Sequence, residues 1–231
     1  MFRCKYCIIY NHNQIVMIYY KRFVVKPIEE NCYVLWDDTT GECGIVDCGA
    51  WSEMDRKRIC DFIQSEGIKP KYLLQTHMHF DHCLGLGVMS DKYRLVPMCH
   101  AMDLPVYRTV PMMVQRWLRQ NVSESLPEVD ACIVENMKLN LGETQIQVLH
   151  TPGHTPGGVC YYIPAARLVF TGDTLFRMSL GRTDLPGGDI VQELDSIRHK
   201  LLVLPPDTVV LPGHGPESSI GAEQESNPYL I

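Results

Sequence analysis

A dense group of candidate metal ligands lies at residues 74–82, which read LQTHMHFDH. The pattern H-x-H-x-D-H places four such side chains in six positions, which chance produces on the order of once in a thousand chains of this composition. His77 and His79 are two residues apart, so in an extended segment they point to the same side and can bind one metal ion. Asp81 and His82 follow a turn and point elsewhere. We therefore expect them to bind a second ion a few ångströms from the first.

Three further candidate ligands occur later in the chain, each shortly after a predicted strand. They are His154 in TPGHTPGG, Asp173 in TGDTLF and His214 in PGHGP. The glycine and proline residues of these segments exclude regular structure and let the backbone approach a ligand closely. One H-x-H-x-D-H motif has too few ligands for two coordination shells, so we expect these three residues to complete them. Histidine and carboxylate ligands without cysteine predict two Zn²⁺ ions, with iron or manganese as alternatives.

Such a pair of ions predicts hydrolysis. Two cations that share a bridging water lower its pKa enough to supply hydroxide at neutral pH, and one of them polarises the carbonyl group under attack. In a thioester the departing thiolate can also be met by a metal ion, so no separate general acid is needed. Asp81 is the candidate catalytic residue, because its carboxylate can orient the hydroxide in addition to binding metal.

The predicted elements that position these residues form two similar halves. Strands are predicted at 18–25, 32–36, 44–46, 71–75, 131–135, 145–149, 159–163, 168–171 and 208–211. One helix is predicted between the N-cap Ser52 and Gly67, and another from Asp189 to about residue 202. Clusters of strands flanked by helices, repeated twice, indicate an α/β (α+β) fold in which two sheets pack face to face with helices outside, a four-layer αββα sandwich.

The segment between the two halves, residues 101–120, is predicted to be partly helical, with breaks at Pro105 and Pro111. Its apolar residues Met112, Met113 and Trp117 fit either a core or an exposed position. Two interpretations stay open for this segment: a lid over the metal site, or an ordinary surface connection.

Composition limits the remaining classes of function. The 231 residues are 45% hydrophobic and carry a formal charge of −6 without a basic cluster, which argues against a nucleic-acid partner. The apolar runs fall short of the roughly 20 residues that a membrane span needs. The scattered cysteines and the lack of a signal-peptide pattern predict a cytoplasmic protein with reduced thiols. We expect residues 1–16 to be an extension that is not native, with translation starting at Met17, and residues 17–231 to form one domain.

The ordered set of ligands, H-x-H-x-D-H followed by a histidine, an aspartate and a histidine, resembles the signature of the metallo-β-lactamase superfamily. Within it the chain looks most like the glyoxalase II (hydroxyacylglutathione hydrolase) branch and its short bacterial relatives. The similarity runs from about Met17 to the C-terminus and includes IVDCG at 45–49 and GRTDLPGGD at 181–189. The resemblance implies the αββα sandwich and assigns ligands as follows: His77, His79 and His154 to one metal, Asp81, His82 and His214 to the other, Asp173 as a bridge, and Asp47 as a support behind the ligands.

The resemblance also implies a small-molecule substrate, S-D-lactoylglutathione or a related hydroxyacyl thioester. Glyoxalase II has a C-terminal helical domain that helps bind glutathione, whereas this chain stops at Ile231. The lysine with which that family contacts glutathione corresponds by position to Arg182, and the family's tyrosine after the last histidine motif is replaced near Pro216. Arg182 and Arg177 are therefore the candidate residues for holding a carboxylate of the substrate.

Other activities share parts of this pattern. A mononuclear iron persulfide dioxygenase has the same motif order but would use only His77, His154 and Asp173. Lactonases and β-lactam hydrolases share the sandwich, although the latter usually have cysteine where Asp173 stands and are exported. Ribonuclease Z has the motif as well, but the acidic charge argues against it. A protein that only binds metal would be expected to have lost ligands.

Overall fold

A computed structural model describes residues 6–11, 14–122 and 126–230, with side chains from residue 18 onward within these ranges. Its first sheet has seven strands, and their order in space is their order in the chain. These strands are β1 Tyr6–Asn11, β2 Gln14–Val25, β3 Glu30–Asp37, β4 Glu42–Val46, β5 Lys69–Leu74, β6 Pro97–His100 and β7 Asp130–Ile133. Neighbours from β1 to β4 are antiparallel, and those from β4 to β7 are parallel.

The second sheet has six strands in the order β8-β9-β10-β11-β14-β15. The strands of the second half are β8 Lys138–Leu141, β9 Thr144–His150, β10 Val159–Ile163, β11 Leu168–Gly172, β12 Leu175–Phe176, β13 Ser179–Leu180, β14 Val209–Pro212 and β15 Ser218–Ser219. Strands β11 and β14 are parallel and the other neighbours in the sheet are antiparallel. Strands β12 and β13 form a separate hairpin.

The helices lie between these strands in the chain, except α7, which follows β15. They are α1 Glu53–Glu66, α2 Phe80–Cys83, α3 Leu86–Tyr93, α4 Leu104–Arg108, α5 Val110–Leu118, α6 Ile190–Ser196 and α7 Ile220–Ser226. Both predicted ends of α1 are confirmed: the Ser52 hydroxyl accepts from the Asp55 N–H at 3.0 Å, and Gly67 ends the helix in the left-handed conformation at φ 67°. No helix in the described ranges is long and apolar enough to cross a membrane.

Alternating side chains of the central strands fill the space between the two sheets. Along β3, Tyr33 and Leu35 face the second sheet and are almost completely buried. The Tyr33 ring meets the Phe170 ring of β11 edge to face, with centroids 5.1 Å apart, and Tyr161 of β10 is fully buried in the same core. Because both faces of β3 are covered, its sequence is a continuous apolar run.

The other faces of the two sheets pack against helices. Val34 belongs to the core that also contains Ile59 of α1. Tyr162 packs in a third core with Ile197 and Leu201, which lie directly after α6. The order of layers is therefore helix, sheet, sheet, helix, which confirms the predicted four-layer αββα sandwich.

Several details depart from the predicted elements. The predicted helix from Asp189 to about residue 202 is confirmed in extent, but α6 is followed directly by a π-helical turn over Ile197–Leu201. The bond from Leu202 N–H to the Ile197 carbonyl, at 2.9 Å, has the i to i+5 spacing of that turn. Strand β2 begins at Gln14 and pairs with β1. The assignment of residues 1–16 to a non-native extension stays a prediction, and residues 1–5, 12 and 13 lie outside the described ranges.

Candidate metal centre

The candidate ligands follow strands whose C-terminal ends lie along one edge of the sandwich. In the first sheet, Asp47 follows β4 and His77 follows its parallel neighbour β5. In the second sheet, Asp173 follows β11 and His214 follows the parallel strand β14. The backbone pairing of Glu30 with His214 and the bond from Asn31 N–H to the Gly213 carbonyl, at 2.7 Å, join the two sheets beside this edge.

Three histidines form the first ligand cluster. His77 and His79 come from the extended segment after β5, and His154 comes from the loop between β9 and β10. Their ligand nitrogens all lie within 4.8 Å of one another, and His79 Nδ1 is 2.8 Å from His154 Nε2. All three side chains are buried. The predicted convergence of His77 and His79 on one point is therefore present in the structure, with His154 beside them.

Asp81, His82 and His214 form the second cluster. Their ligand atoms also lie within 4.8 Å of one another. The short helix α2 carries Asp81 and His82, and His214 Nε2 lies 3.2 Å from Asp81 Oδ2. The distance from His82 Nε2 to the same carboxylate oxygen is 4.0 Å. The His82 ring also lies beside the first cluster, with its centroid 4.0 Å from that of His77. The four ligands of the H-x-H-x-D-H motif thus divide into two pairs, as their spacing indicates.

Asp173 lies between the two clusters. Its Oδ1 is 3.4 Å from His82 Nε2, and its Oδ2 is 3.6 Å from His154 Nε2. The Oδ2 atom is also 3.8 Å from His214 Nε2. Each oxygen of this carboxylate therefore approaches a histidine of a different cluster, which is the arrangement that a bridging ligand requires.

The residues present fit a pair of metal ions. His77 Nε2, His82 Nε2 and Asp173 Oδ1 are buried and have no partner with hydrogen-bonding geometry among the described residues. Buried polar atoms without partners are rare in proteins, because each one costs free energy. Five imidazoles and two carboxylates around these atoms are the donor set that zinc, iron and manganese accept. Cations at this place would satisfy the unpartnered atoms.

The protonation states of His77, His79 and Asp173 agree with this fit, whereas neighbouring carboxylates, against the effect of burial, raise the pKa of His82 and of His214, whose protons a bound cation would displace. Burial lowers the pKa of His79 to about 3 and holds the pKa of His77 well below its usual value, so both imidazoles are neutral and able to bind metal. Burial alone would raise the pKa of Asp173. The positive charge of the neighbouring His82 outweighs this effect and holds the pKa of Asp173 well below its usual value. The Asp173 carboxylate is thus ionised.

Asp47 supports both clusters from behind. Its Oδ1 accepts the Thr76 N–H at 2.7 Å, and its Oδ2 accepts the Thr76 hydroxyl at 2.7 Å. The Oδ2 atom also lies 3.1 Å from His82 Nδ1, the ring nitrogen opposite Nε2. Asp47 therefore holds the start of the segment that carries His77, and its carboxylate lies beside the His82 ring.

Two buried carboxylates with similar contacts were not predicted from the sequence. Asp103 accepts hydrogen bonds from Met78 N–H at 2.9 Å, from Gly157 N–H at 2.6 Å and from the Thr155 hydroxyl at 2.9 Å. Met78 lies between His77 and His79, whereas residues 155 and 157 flank His154, so Asp103 joins the two loops of the first cluster. The sequence offers no signal for this contact, because a lone aspartate at the start of a helical segment is typical of a helix cap.

The second such residue is Glu193 of α6. Its Oε2 accepts the His154 N–H at 2.7 Å, and burial raises its pKa to about 9. The His154 ring is held from another side, since its Nδ1 is 2.7 Å from the Arg182 carbonyl. An acidic residue in the first turn of a predicted helix is usually exposed, and for this reason its role was missed.

Gly213 provides space beside the ligands. A Cβ atom on this residue would lie 2.3 Å from Asp173 Oδ1 and 2.7 Å from His82 Cε1. Any side chain at this position would therefore displace two candidate ligands. The glycine of PGHGP that precedes His214 is thus required by close approach.

An open cleft with about 510 Å³ of empty space leads to this centre. Candidate ligands from both clusters form its floor, namely His79, Asp81, His154 and Asp173. Five apolar side chains, which we call the apolar wall, form its sides: Ile28, Phe80, Met113, Trp117 and Leu185. Arg182 also lines the cleft, whereas Arg177 is exposed and is not among the described residues that line it.

The segment 101–120 therefore contributes to the site through α5. Met113 is buried and Trp117 is half exposed, and both face the cleft. The structure thus places part of this segment beside the site, while its predicted movement as a lid stays a prediction.

Comparison with known proteins identifies the family. Residues 25–214 match the model of the metallo-beta-lactamase superfamily. The probable metallo-hydrolase YqgX of Bacillus subtilis is 37% identical over 221 residues, which cover 91% of this chain and 97% of YqgX. The hydroxyacylglutathione hydrolase GloC of Haemophilus influenzae is 34% identical over 208 residues, which cover 89% of this chain and 95% of GloC.

Solved structures show the same fold. The BLEG-1 B3 metallo-beta-lactamase superposes with a TM-score of 0.83 at 34% identity, covering 92% of this chain and 99% of that one. TTHA1623 in a di-iron-bound form superposes with a TM-score of 0.79 at 36% identity, covering 91% of this chain and 100% of TTHA1623. The family model matches most of this chain, and clusters of histidine and aspartate lie at the floor of its cleft. The chain therefore belongs to the metallo-beta-lactamase superfamily and is a metal-dependent hydrolase.

Proposed function

We propose that this hydrolase cleaves thioesters, with S-D-lactoylglutathione or a related hydroxyacyl thioester as the substrate. The observation that carries the proposal is the pair of ligand clusters that share Asp173 at the floor of an open cleft. The likeness to GloC, whose name states hydroxyacylglutathione hydrolysis, supports the choice of substrate.

Each residue of the centre has a role in this proposal. His77, His79 and His154 hold one ion, Asp81, His82 and His214 hold the other, and Asp173 bridges them. The ions are two Zn²⁺ or, as alternatives, iron or manganese. When bound, they supply a water of lowered pKa and polarise the carbonyl group of the substrate.

Asp81 is the proposed catalytic residue among the ligands. Its carboxylate lies on the floor of the cleft with its side chain 14% exposed, so it can accept a hydrogen bond from the attacking water and hold it against the carbonyl carbon. The water oxygen bonds to the carbonyl carbon, the carbon–sulfur bond breaks, and the sulfur leaves as a thiolate that takes up the proton lost by the water. Because thiols have a pKa of about 8.5, the thiolate departs without a protonated side chain.

Two other activities are alternatives to thioester hydrolysis. A mononuclear iron persulfide dioxygenase would use only His77, His154 and Asp173. The approach of His82 and His214 to the Asp173 carboxylate, at 3.4 and 3.8 Å, favours two ions over one. Hydrolysis of a β-lactam or a lactone is the second candidate function, because the chain is 34% identical to BLEG-1.

The test is the hydrolysis of S-D-lactoylglutathione by protein loaded with zinc or with iron, measured as the release of free thiol. Asp173→Asn should lose most of the activity together with at least one ion. Asp91→Asn is the matched control, since Asp91 is exposed on α3, away from the cleft, and should keep both. Absence of turnover in protein shown to hold metal would refute S-D-lactoylglutathione as the substrate, and absence of turnover with every thioester tested would refute the thioesterase. Oxygen uptake with glutathione persulfide and cleavage of a chromogenic cephalosporin would then test the alternatives.

A further inference from the structure

We propose that the apolar wall is a binding site for an apolar group of the substrate, so that kcat/KM rises as the alkyl or aryl group next to the scissile bond of the thioester grows. This inference rests on the proposed thioesterase activity and names the kind of group that the cleft selects beside that bond.

The apolar wall is assembled from four separate segments of the chain. Ile28 comes from the turn between β2 and β3, Phe80 from α2, Met113 and Trp117 from α5, and Leu185 from the loop before α6. A single amphipathic helix could leave an apolar stripe by accident. Convergence of apolar side chains from four segments on one cleft instead indicates a site built for an apolar ligand.

The outer part of the wall is accessible from solvent. Trp117 is 49% exposed and Ile28 is 36% exposed, whereas Phe80 and Met113 are buried. Met113 and Trp117 are four residues apart on α5, so they lie on the same side of that helix, and both line the cleft. Exposed apolar side chains that cluster beside a catalytic centre gain free energy when a ligand covers them.

The charges around the cleft also favour an apolar ligand. Arg182 is the single lysine or arginine among the described residues that line it. Its guanidinium is already paired with Asp184, with Nε to Oδ1 at 2.7 Å and an Nη to Oδ2 at 2.8 Å, and lies 5.9 Å from the centre of the Trp117 ring. The cleft therefore offers little unpaired positive charge beside the wall, and Arg182 extends the surface of the Trp117 ring.

The expected effect follows from the apolar area that the ligand buries. Complete burial of one methylene group is equivalent to about a fourfold change in an equilibrium or rate constant, and half-burial to about a twofold change. Each methylene added to the substrate should therefore raise kcat/KM by about two- to fourfold until the cleft is filled.

Two series of substrates locate the apolar group. The first contains the acetyl, butyryl and hexanoyl thioesters of N-acetylcysteamine, which vary the acyl side. The second contains the acetyl thioesters of ethanethiol, butanethiol and hexanethiol, which vary the leaving thiol. We expect kcat/KM of the metal-loaded enzyme to rise with chain length in one of the series, and that series identifies the side of the scissile bond that faces the apolar wall.

Variants of α5 link this preference to the wall. Trp117→Ala should lower the ratio of kcat/KM between the longest and the shortest substrate by about fivefold, because it removes the largest side chain of the wall. Met112→Ala is the matched control, since Met112 is 59% exposed on the same helix and does not line the cleft. It should leave the ratio unchanged.

Binding without turnover gives a second measurement. The S-hexyl thioether of N-acetylcysteamine cannot be hydrolysed, and its binding should change the tryptophan fluorescence of the metal-loaded protein. Trp117→Phe should abolish this change, because Trp36 is buried and neither Trp36 nor Trp51 lines the cleft. Met112→Ala should retain it.

The outcomes separate this inference from the function on which it rests. If the metal-loaded enzyme hydrolyses none of the thioesters, including S-D-lactoylglutathione, the proposed function fails and the inference fails with it. If thioesters are hydrolysed but kcat/KM is flat in both series, or the rise persists in Trp117→Ala, the inference is overturned while the thioesterase stands. A rise in one series that Trp117→Ala reduces and Met112→Ala preserves supports both.

Discussion

Replacement of Asp103 by asparagine tests whether this buried carboxylate positions the first ligand cluster. Asp103 is fully buried and is not a candidate ligand. Its Oδ2 accepts from Met78 N–H and from the Thr155 hydroxyl, and its Oδ1 accepts from Gly157 N–H. Asparagine keeps the shape of the side chain but replaces one acceptor oxygen with an amide group that can only donate. The substitution therefore changes hydrogen bonding with little change in volume.

The magnitude follows from these contacts. In either orientation of the new amide, its NH₂ group faces one of the two backbone N–H donors, and that donor loses its acceptor. A buried donor left unpaired costs about 1–3 kcal/mol. Burial raises the pKa of Asp103 despite the hydrogen bonds from Gly157 and Met78, so removal of the charge offsets part of this cost. We expect the free energy of unfolding to fall by about 2 kcal/mol, because the lost hydrogen bonds outweigh the relief.

Metal affinity should fall as well, because the loops that carry His77, His79 and His154 are joined at Asp103. Substitution of residues that orient metal ligands typically lowers affinity by about 10- to 100-fold, and we expect a loss in this range. The assays are urea unfolding of metal-free protein and competition for the metal with a chromogenic chelator.

Asp55→Asn is the matched control for Asp103→Asn. Asp55 is also buried and accepts a backbone hydrogen bond, from Lys26 N–H at 3.1 Å, but it lies at the start of α1. This variant should lose stability and keep its metal affinity. If Asp103→Asn behaved in the same way, with reduced stability and the metal affinity of the parent protein, the reasoning about positioning would be refuted.

Three further substitutions test the centre. Asp173→Asn should remove at least one ion, measured by elemental analysis, and most of the hydrolysis; a variant that keeps both ions and the full rate would exclude the bridging role. Gly213→Ala should lower the metal content, because its Cβ would lie 2.3 Å from Asp173 Oδ1, whereas Gly44→Ala, whose Cβ meets its nearest neighbours at 3.9 Å, should not. Asp47→Asn should weaken the ion at His82 by about 10- to 100-fold, so that titration shows one tight site and one weak site; two tight sites would contradict the contact between Asp47 and His82.

The positions of the candidate ligands could be predicted from the sequence because they depend on local rules. Side chains two residues apart in an extended segment share one side, which places His77 with His79. Asp173 and His214 follow strands, as predicted from the sequence, whereas the parallel pairing of those strands, which brings both residues to one edge of the sheet, is known only from the structure.

The residues that hold these loops together could not be predicted in this way. The contacts of Asp103 join residues that are 25 and 54 positions away in the chain, and no local pattern encodes them. The same limit applies to Met113 and Trp117, because the packing of α5 beside the cleft depends on contacts between segments that are distant in the chain. Strand β6 was missed for another reason, because the sequence PMCH is too short and too poor in β-branched residues to predict a strand.

A shared feature of the centre is that buried carboxylates hold the ligand loops without themselves being assigned as ligands. Asp47 binds the segment before His77, Asp103 binds Met78 and Gly157, and Glu193 binds the His154 N–H. Neutral side chains could accept the same hydrogen bonds at a lower cost of burial. That cost is visible in Glu193, whose pKa burial raises to about 9. Cations in the centre would favour the ionised form of each carboxylate and so reverse this penalty. Carboxylates are therefore suited to loops whose order should depend on bound metal, and metal loading should stabilise the fold as well as supply the chemistry.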